Sequence, residues 1–445
     1  MWSVLLPAIQ SFFARPGVQA ATGNLGWLVA EKGVRFVLNV GVGFWVARHL
    51  GPAQFGMLNY GLAVVGLVAL LAELGLESIV RRELIQKPVE AAPLVVTVVG
   101  LRLTGGVLAY ALLLAGAGLG WVAPEERALL LVFGLTLFQP ALMVTDLWFQ
   151  ARLRAKVSVW AQLAAVAVGA AVRIALILTD ASLIAFAWAV IVELVVAAVL
   201  LAALARRDGL LLRWGAFRKI LAGQLLREAW PLMLSGFAVT LYLRIDAIML
   251  RQQAGETAVG IYSAAVRFTE IWYFVPIALG ASLLPALLRA RERGAEEYLI
   301  RLQAFYDLNA ALAYGLAVPL SFAAPWLIRL AYGPAYAAAA PVLTLHIWSS
   351  IFVFLGVARG QFLVNEGYTR FYLAATVAGL LVNVVLNWML IPIHGVWGAA
   401  LATLIGQAVA AWLSSFCFAP VRRSAWMQTR ALLIPFRWYH YVRNS

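Results

Sequence analysis

Residues 182–207 read SLIAFAWAVIVELVVAAVLLAALARR. Between 182 and 205 the only charged residue is Glu193, and Arg206 and Arg207 end the run abruptly. At ~1.5 Å per residue, such a run crosses the ~30 Å hydrocarbon layer of a bilayer as a helix. Lipid offers no hydrogen bonds to bare N–H and C=O groups, so a chain that crosses this way must be helical.

The rest of the chain follows the same pattern. It has 445 residues, 64% hydrophobic and 12% charged, about half the charge of an ordinary soluble protein. Apolar runs bounded by charge, Gly or Pro place spans at 25–48, 55–78, 92–116, 128–150, 158–179 and 182–205. A second set follows at 229–250, 259–285, 303–328, 340–363, 371–392 and 396–419. The expected fold is an all-α polytopic membrane protein of about 12 transmembrane helices. Residues 1–24 have no basic n-region, and Pro7 and Gln10 interrupt them, so an interfacial segment is expected there, not a signal peptide.

Basic residues test the span count, because they accumulate on the cytoplasmic side. On alternate loops and the tail fall 23 of the 34 Lys and Arg, among them Arg81, Arg82, Lys87, Arg152, Arg154, Lys156, Arg289, Arg291, Arg293, Arg422 and Arg423. The opposite side carries four: Arg48, Arg127, Arg251 and Arg329. Both termini are therefore expected in the cytoplasm. The same asymmetry accounts for the net charge of +14, and no soluble basic domain suited to nucleic acid exists. The single cysteine, Cys417, has no partner for a disulfide or metal and is expected to be a buried packing residue.

The longest linker, 206–228, is basic and separates a six-helix bundle at 25–205 from another at 229–419, with a basic tail at 420–445. Laying residues 27–48 on 230–251 matches Trp27 with Trp230, Gly33 with Gly236, Leu38 with Leu241 and Arg48 with Arg251; one inserted residue brings Gly56 onto Gly260. Equal, even halves imply two six-helix bundles related by a pseudo-twofold along the membrane normal, with a cavity expected between them. Outer loops are short, the longest near 117–127, which leaves little room for an extramembrane catalytic domain.

Seven cations remain inside the spans: Lys32, Arg35, Arg102, Arg173, Arg244, Arg267 and Arg359. Each costs ~2.5–3.5 kcal/mol at a helix centre, so each needs a reason. Arg359 lies near the end of its span and is expected to snorkel to the interface. Lys32, Arg35 and Asn39 share one helical face, where Glu31 can pair with Arg35. Ser263, Arg267 and Glu270 form a second such stripe. Arg244 and Asp246 point roughly 200° apart, so at least one of them needs a partner from another span. Lys32, Arg35, Asn39, Arg102, Arg244 and Arg267 are the expected substrate-binding groups, and Glu31, Asp246 and Glu270 the acids available to carry a coupling ion. GxxxxGK[ST], HExxH and GxSxG are absent and the four histidines are scattered. No catalytic residue, cofactor or metal is expected, and His346 is expected to be a packed histidine.

Ala47-Arg48-His49-Leu50-Gly51-Pro52, Phe55-Gly56, Tyr60, Leu74-Gly75-Leu76 and Arg82-Glu83-Leu84 resemble the oligosaccharide flippases of the Wzx type. So do Asn383, Leu386-Asn387, Ile391-Pro392, Gly395, Gly398-Ala399-Ala400 and Ala402-Thr403 near the end. The resemblance covers residues 24–420. Physically these motifs are turns and small-residue packing sites, and they carry no substrate motif. The resemblance implies the multidrug, oligosaccharidyl-lipid and polysaccharide exporter superfamily. With it come alternating access by two bundles, an undecaprenyl-pyrophosphate-linked glycan as substrate, and a role in O-antigen, capsule or exopolysaccharide biosynthesis at the bacterial inner membrane. Other polysaccharide assembly proteins are its implied partners, and H+ or Na+ its implied coupling ion. Two other classes compete: a multidrug or other lipid-precursor exporter of the same fold, and a membrane glycosyltransferase or ligase. The first usually favours cations, for which excess Arg and Lys has the wrong sign. The second lacks its motifs and its outer loop.

Overall fold

The computed structural model describes the backbone of residues 16–437 except 121–122 and 211; side chains are described from residue 38 onward except at those positions and at 39, 88, 125, 235 and 285. In chain order the α-helices are α1 (Pro16–Val68), α2 (Leu70–Glu73), α3 (Glu77–Gln86), α4 (Ala91–Gly118), α5 (Pro124–Gly134), α6 (Gln139–Leu142), α7 (Val144–Ala151) and α8 (Ala155–Leu178). They continue with α9 (Leu183–Arg207), α10 (Lys219–Glu270), α11 (Phe274–Arg293), α12 (Ala295–Tyr332), α13 (Ala339–His346), α14 (Ser349–Asn365), α15 (Thr369–Ala411) and α16 (Arg422–Leu432). No strand occurs among the described residues. Residues 1–15 of the expected interfacial segment lie outside the described part.

Nine helical stretches among the described residues are long and apolar enough to span a bilayer. Three of them are interrupted by a non-helical glycine: Gly51 in α1 (φ 70°, ψ 173°), Gly255 in α10 (φ 84°, ψ 177°) and Gly395 in α15 (φ 55°, ψ −133°). Nine stretches with three interruptions make twelve legs, in agreement with the twelve spans of the sequence. The breaks at Gly51 and Gly255 have nearly the same backbone angles, at positions the internal alignment makes equivalent. An L-residue side chain clashes with the backbone at such φ values, which explains glycine at both.

Contacts group the chain into two units, one formed by residues through His49 with Val64–Phe237, the other by Leu50–Ala63 with Ala238 onward. In the first, Leu76, Val80, Val95, Val98, Val144, Phe149 and Leu201 form a core that joins α3, α4, α7 and α9. Arg82 of α3 donates to both carboxylate oxygens of Glu228 through Nη1 and Nη2, at 2.6 and 2.8 Å, and the backbone N–H of Arg218 donates to Thr97 (3.1 Å). These bonds fasten the linker.

In the second unit Tyr306, Phe305, Leu302, Phe354 and Leu355 form the core between α12 and α14, with Ala431 of α16 against it. Lipid supplies no hydrophobic drive between helices, so association depends on close fit at small residues. Gly56 and Gly260 show how close. A Cβ at Gly56 would lie 1.8 Å from the Glu256 carbonyl oxygen, and one at Gly260 would lie 1.9 Å from that of Pro52. The legs after Gly51 and Gly255 therefore cross backbone to backbone. Gly379 and Gly406 do the same for the two legs of α15, with Asn383 packed on Gly406.

Candidate functional site

Asp246 sits in α10 before the Gly255 break and is 5% exposed. Because the chain reverses at Gly255, Tyr262 faces back and its hydroxyl donates to Asp246 Oδ2 (2.7 Å). Because it reverses again at Gly395, α15 contributes from both legs: Asn387 Nδ2 donates to Oδ1 (2.5 Å) and Thr403 Oγ1 to Oδ2 (2.6 Å). A second layer supports the first, since Asn387 Nδ2 also reaches Asn383 Oδ1 (3.1 Å) and Thr403 Oγ1 lies 3.0 Å from the Ala399 carbonyl. Among the described residues no cation comes within ion-pair distance of Asp246. A buried carboxylate is costly unless hydrogen-bonded, and here neutral groups on three other legs hold it.

The sequence places Arg244 and Asp246 about 200° apart, so that one of them needs a partner from another span, and Asp246 finds partners on other legs. Arg244 is exposed on the other side of α10 and makes no hydrogen bond with a described residue. Arg267 and Glu270, on the leg after Gly255, are half-buried. Arg267 and Glu270, three residues apart, share one helical face, and with Arg244 and Asp246 they lie in the second unit. Arg102 belongs to the first unit. It is buried, donates to the Pro140 carbonyl (2.8 Å) and feels the carboxylates of Glu73 and Glu77. Glu31, Lys32, Arg35 and Asn39 lie on α1, and their side chains are outside the described part. Arg173 pairs with Glu193 across α8 and α9 (2.8 Å).

Three residues depart from the sequence-based expectation or add to it. Arg359 does not snorkel: it is 2% exposed and donates to Ser415 (2.7 Å), Ser414 (3.1 Å) and the Ala410 carbonyl (2.5 Å). The last turn of α15 leaves carbonyls without helical partners, and a guanidinium satisfies them while meeting the negative end of the helix dipole. Cys417 is exposed, since it lies past the end of α15 and not within it. His346 is packed, 3.1 Å from Thr269 Oγ1 and edge-on to Tyr262. Sequence reasoning missed Tyr262, Asn383, Asn387 and Thr403 as site residues. Their signal was present in the asparagines four apart and in Thr403, which reads as a packing motif until Asp246 is set against it.

Residues 21–291 match the family described as polysaccharide biosynthesis protein. The chain belongs to that family. Residues 231–389 also match the MatE family. The chain is 27% identical to the succinoglycan biosynthesis transport protein ExoT of Rhizobium meliloti, over 74% of this chain and 65% of that one. It is 22% identical to a putative O-antigen transporter of Shigella dysenteriae, over 41% and 46% respectively. The matches thus span about half to two thirds of these relatives. A multidrug resistance MATE family transporter of the MOP superfamily, in an inward-facing conformation, superposes with a TM-score of 0.69 at 18% identity, covering 90% of this chain and 95% of that one. The lipid II flippase MurJ, inward closed, superposes with a TM-score of 0.68 at 12% identity, with 93% of each chain covered. Likenesses of that identity establish the two-lobed, twelve-helix fold.

Proposed function

We propose that the protein is a flippase, not an enzyme. It moves an undecaprenyl-pyrophosphate-linked oligosaccharide from the inner to the outer leaflet of the bacterial cytoplasmic membrane, by alternating access of the bundles at 25–205 and 229–419 about the 206–228 linker, with both termini cytoplasmic. Family membership supports a place in polysaccharide assembly. One observation supports the residue-level reading: Arg244, Arg267, Glu270 and the buried Asp246 cluster lie in the same unit. Guanidinium groups match phosphate in charge and in bidentate geometry. Arg244 and Arg267, with Lys32, Arg35, Asn39 and Arg102, are assigned to the pyrophosphate and acidic sugars.

Asp246 takes the coupling ion in this scheme, with Glu270 and Glu31 as further acids. Asp246 Oδ1 and Oδ2, Asn383 Oδ1, Thr403 Oγ1 and the Ala399 carbonyl are all oxygens, the ligand type of a hard cation. Thr403 has one proton to share among Asp246, Tyr262 and Ala399, and Asn387 Oδ1 is buried without a partner. Turning that amide over would present an oxygen, not a nitrogen, to a protonated or cation-bearing Asp246. Coupling is not electrically required. A headgroup of about two negative charges gains ~4–5 kcal/mol moving outward at 100 mV, inside negative.

Purified protein in liposomes tests both parts. Arg267→Ala is expected to abolish glycan-lipid translocation in a folded protein, and Arg35→Lys to retain more than Arg35→Ala. Asp246→Asn is expected to remove the response to H+ or Na+ gradients. Translocation untouched by Arg267→Ala refutes the anion assignment, and a gradient response that survives Asp246→Asn refutes the coupling assignment. The MatE match favours one second reading, export of lipophilic cations, with Asp246 and Glu270 as counterions. Gradient-driven efflux of a lipophilic cation without glycan-lipid movement would select it.

A further inference from the structure

Helix α16 is docked firmly onto the second unit by one face. Tyr306 Oη lies 2.7 Å from Ser424 Oγ, Tyr314 donates to the Leu432 carbonyl (2.9 Å), Trp412 Nε1 donates to Thr429 (2.9 Å) and Gln303 Nε2 to the Met427 carbonyl (3.0 Å). Ser424, Ala425, Gln428 and Ala431 are buried beneath it. The opposite face is bare. Arg423 and Arg430 are exposed there beside Trp426 (62% exposed), and Phe436 (77%) follows just past the helix end.

Between α16 and the start of α12 runs a groove of about 830 Å³. Arg437 closes one end by folding back on Asp307 (3.3 Å) and on the Arg430 carbonyl (3.0 Å), so that acid is already neutralised. Arg423 and Arg430 make no side-chain hydrogen bond with any described residue. They stand seven residues apart, two helical turns or ~10 Å along the axis. Facing them across the groove are Glu296 and the apolar Leu299, Ile300 and Ala304. The uncommitted charge is two guanidiniums against one carboxylate, with an apolar wall opposite, and Trp426 and Phe436 are exposed on α16 and just past its end. Such a basic helix with Trp and Phe beside its cations is built for a bilayer interface.

We propose that this groove is a binding site for an anionic glycerophospholipid, its phosphodiester taken by Arg423 and Arg430 and the first part of an acyl chain laid on Leu299, Ile300 and Ala304. The site is separate from the Asp246 cluster and does not depend on the transported substrate. It would tie the tail helix to the charged leaflet.

Thermal unfolding of the full chain in neutral detergent, titrated with short-chain phosphatidylglycerol, phosphatidylcholine of matched chains, or inorganic phosphate, tests the proposal. Phosphatidylglycerol is expected to raise Tm, while the other two leave it unchanged. Arg423→Gln with Arg430→Gln removes that shift while Tm without lipid is retained, with each arginine worth about five-fold in apparent affinity. Glu296→Gln keeps the shift. Equal shifts from both lipids, a shift reproduced by phosphate alone, or a phosphatidylglycerol shift that survives the double substitution would each overturn the assignment. Native mass spectrometry of the unmodified protein in an equimolar lipid mixture gives a second measure independent of any variant. Equal retention of the two lipids there also overturns it.

Discussion

The Asp246 cluster depends on hydrogen bonds between residues far apart in sequence. Asn387 and Thr403 reach Asp246 across 141 and 157 residues. A hydrogen bond to a buried charge contributes ~1.5–3 kcal/mol. Thr403→Val is therefore expected to destabilise the protein by roughly that amount, and by much less in an Asp246→Asn background. Equal losses in both backgrounds, measured by unfolding in detergent, would show that Thr403 does not act through the carboxylate. That one of Arg244 and Asp246 needs a partner from another span was legible from their separation of about 200° on the helix; that Asp246 is the one was not. Its partners were not: neutral Asn, Thr and Tyr inside a span look like packing residues until tertiary structure sets them around a charge. Arg359 illustrates the same limit, since depth along a span does not reveal that the end of another helix waits beside it.

At the level of elements, close approach sets the tolerance to change. Gly56→Ala would place a methyl carbon 1.8 Å from a carbonyl oxygen of the neighbouring leg, and backbone cannot yield there as a side chain could. A loss of more than ~3 kcal/mol is expected, among the large values seen for single substitutions. Gly41 of α1, where an added methyl group would meet nothing within 4 Å, provides the control: Gly41→Ala should be neutral or gain up to ~1 kcal/mol from helix propensity. If the two behave alike, crossing at Gly56 is not what holds these legs together. The helices were legible from apolar runs alone, and so were the glycines as turn and packing residues. Which legs the glycines join was not, because nothing in a run of apolar residues specifies its neighbour.

Over the whole molecule, the 23 basic residues set against four fix an expected orientation. Cys417 is exposed, so it must be replaced by serine before single cysteines report topology. In that background a cysteine at position 213 should be protected from an impermeant reagent outside the cell, and one at position 125 should be labelled. The reverse pattern would invert the topology and with it the direction of transport proposed above. Twelve spans follow from composition, which acts along the chain. The grouping of Leu50–Ala63 with the second unit arises from contacts between segments about 200 residues apart, which composition does not register.

That separation also has a duration. The leg that begins at Gly51 enters the membrane with Gly56 already in place, but the Gly260 surface it packs against has not yet been synthesised. At ~5–20 residues per second, the intervening 200 or so residues take roughly 10–40 s. Throughout that interval a groove shaped for another backbone faces lipid, which fills it poorly. Nascent chains halted before residue 255 should therefore be more open to protease, or to capture by insertion factors, around residues 50–63 than chains halted after 270.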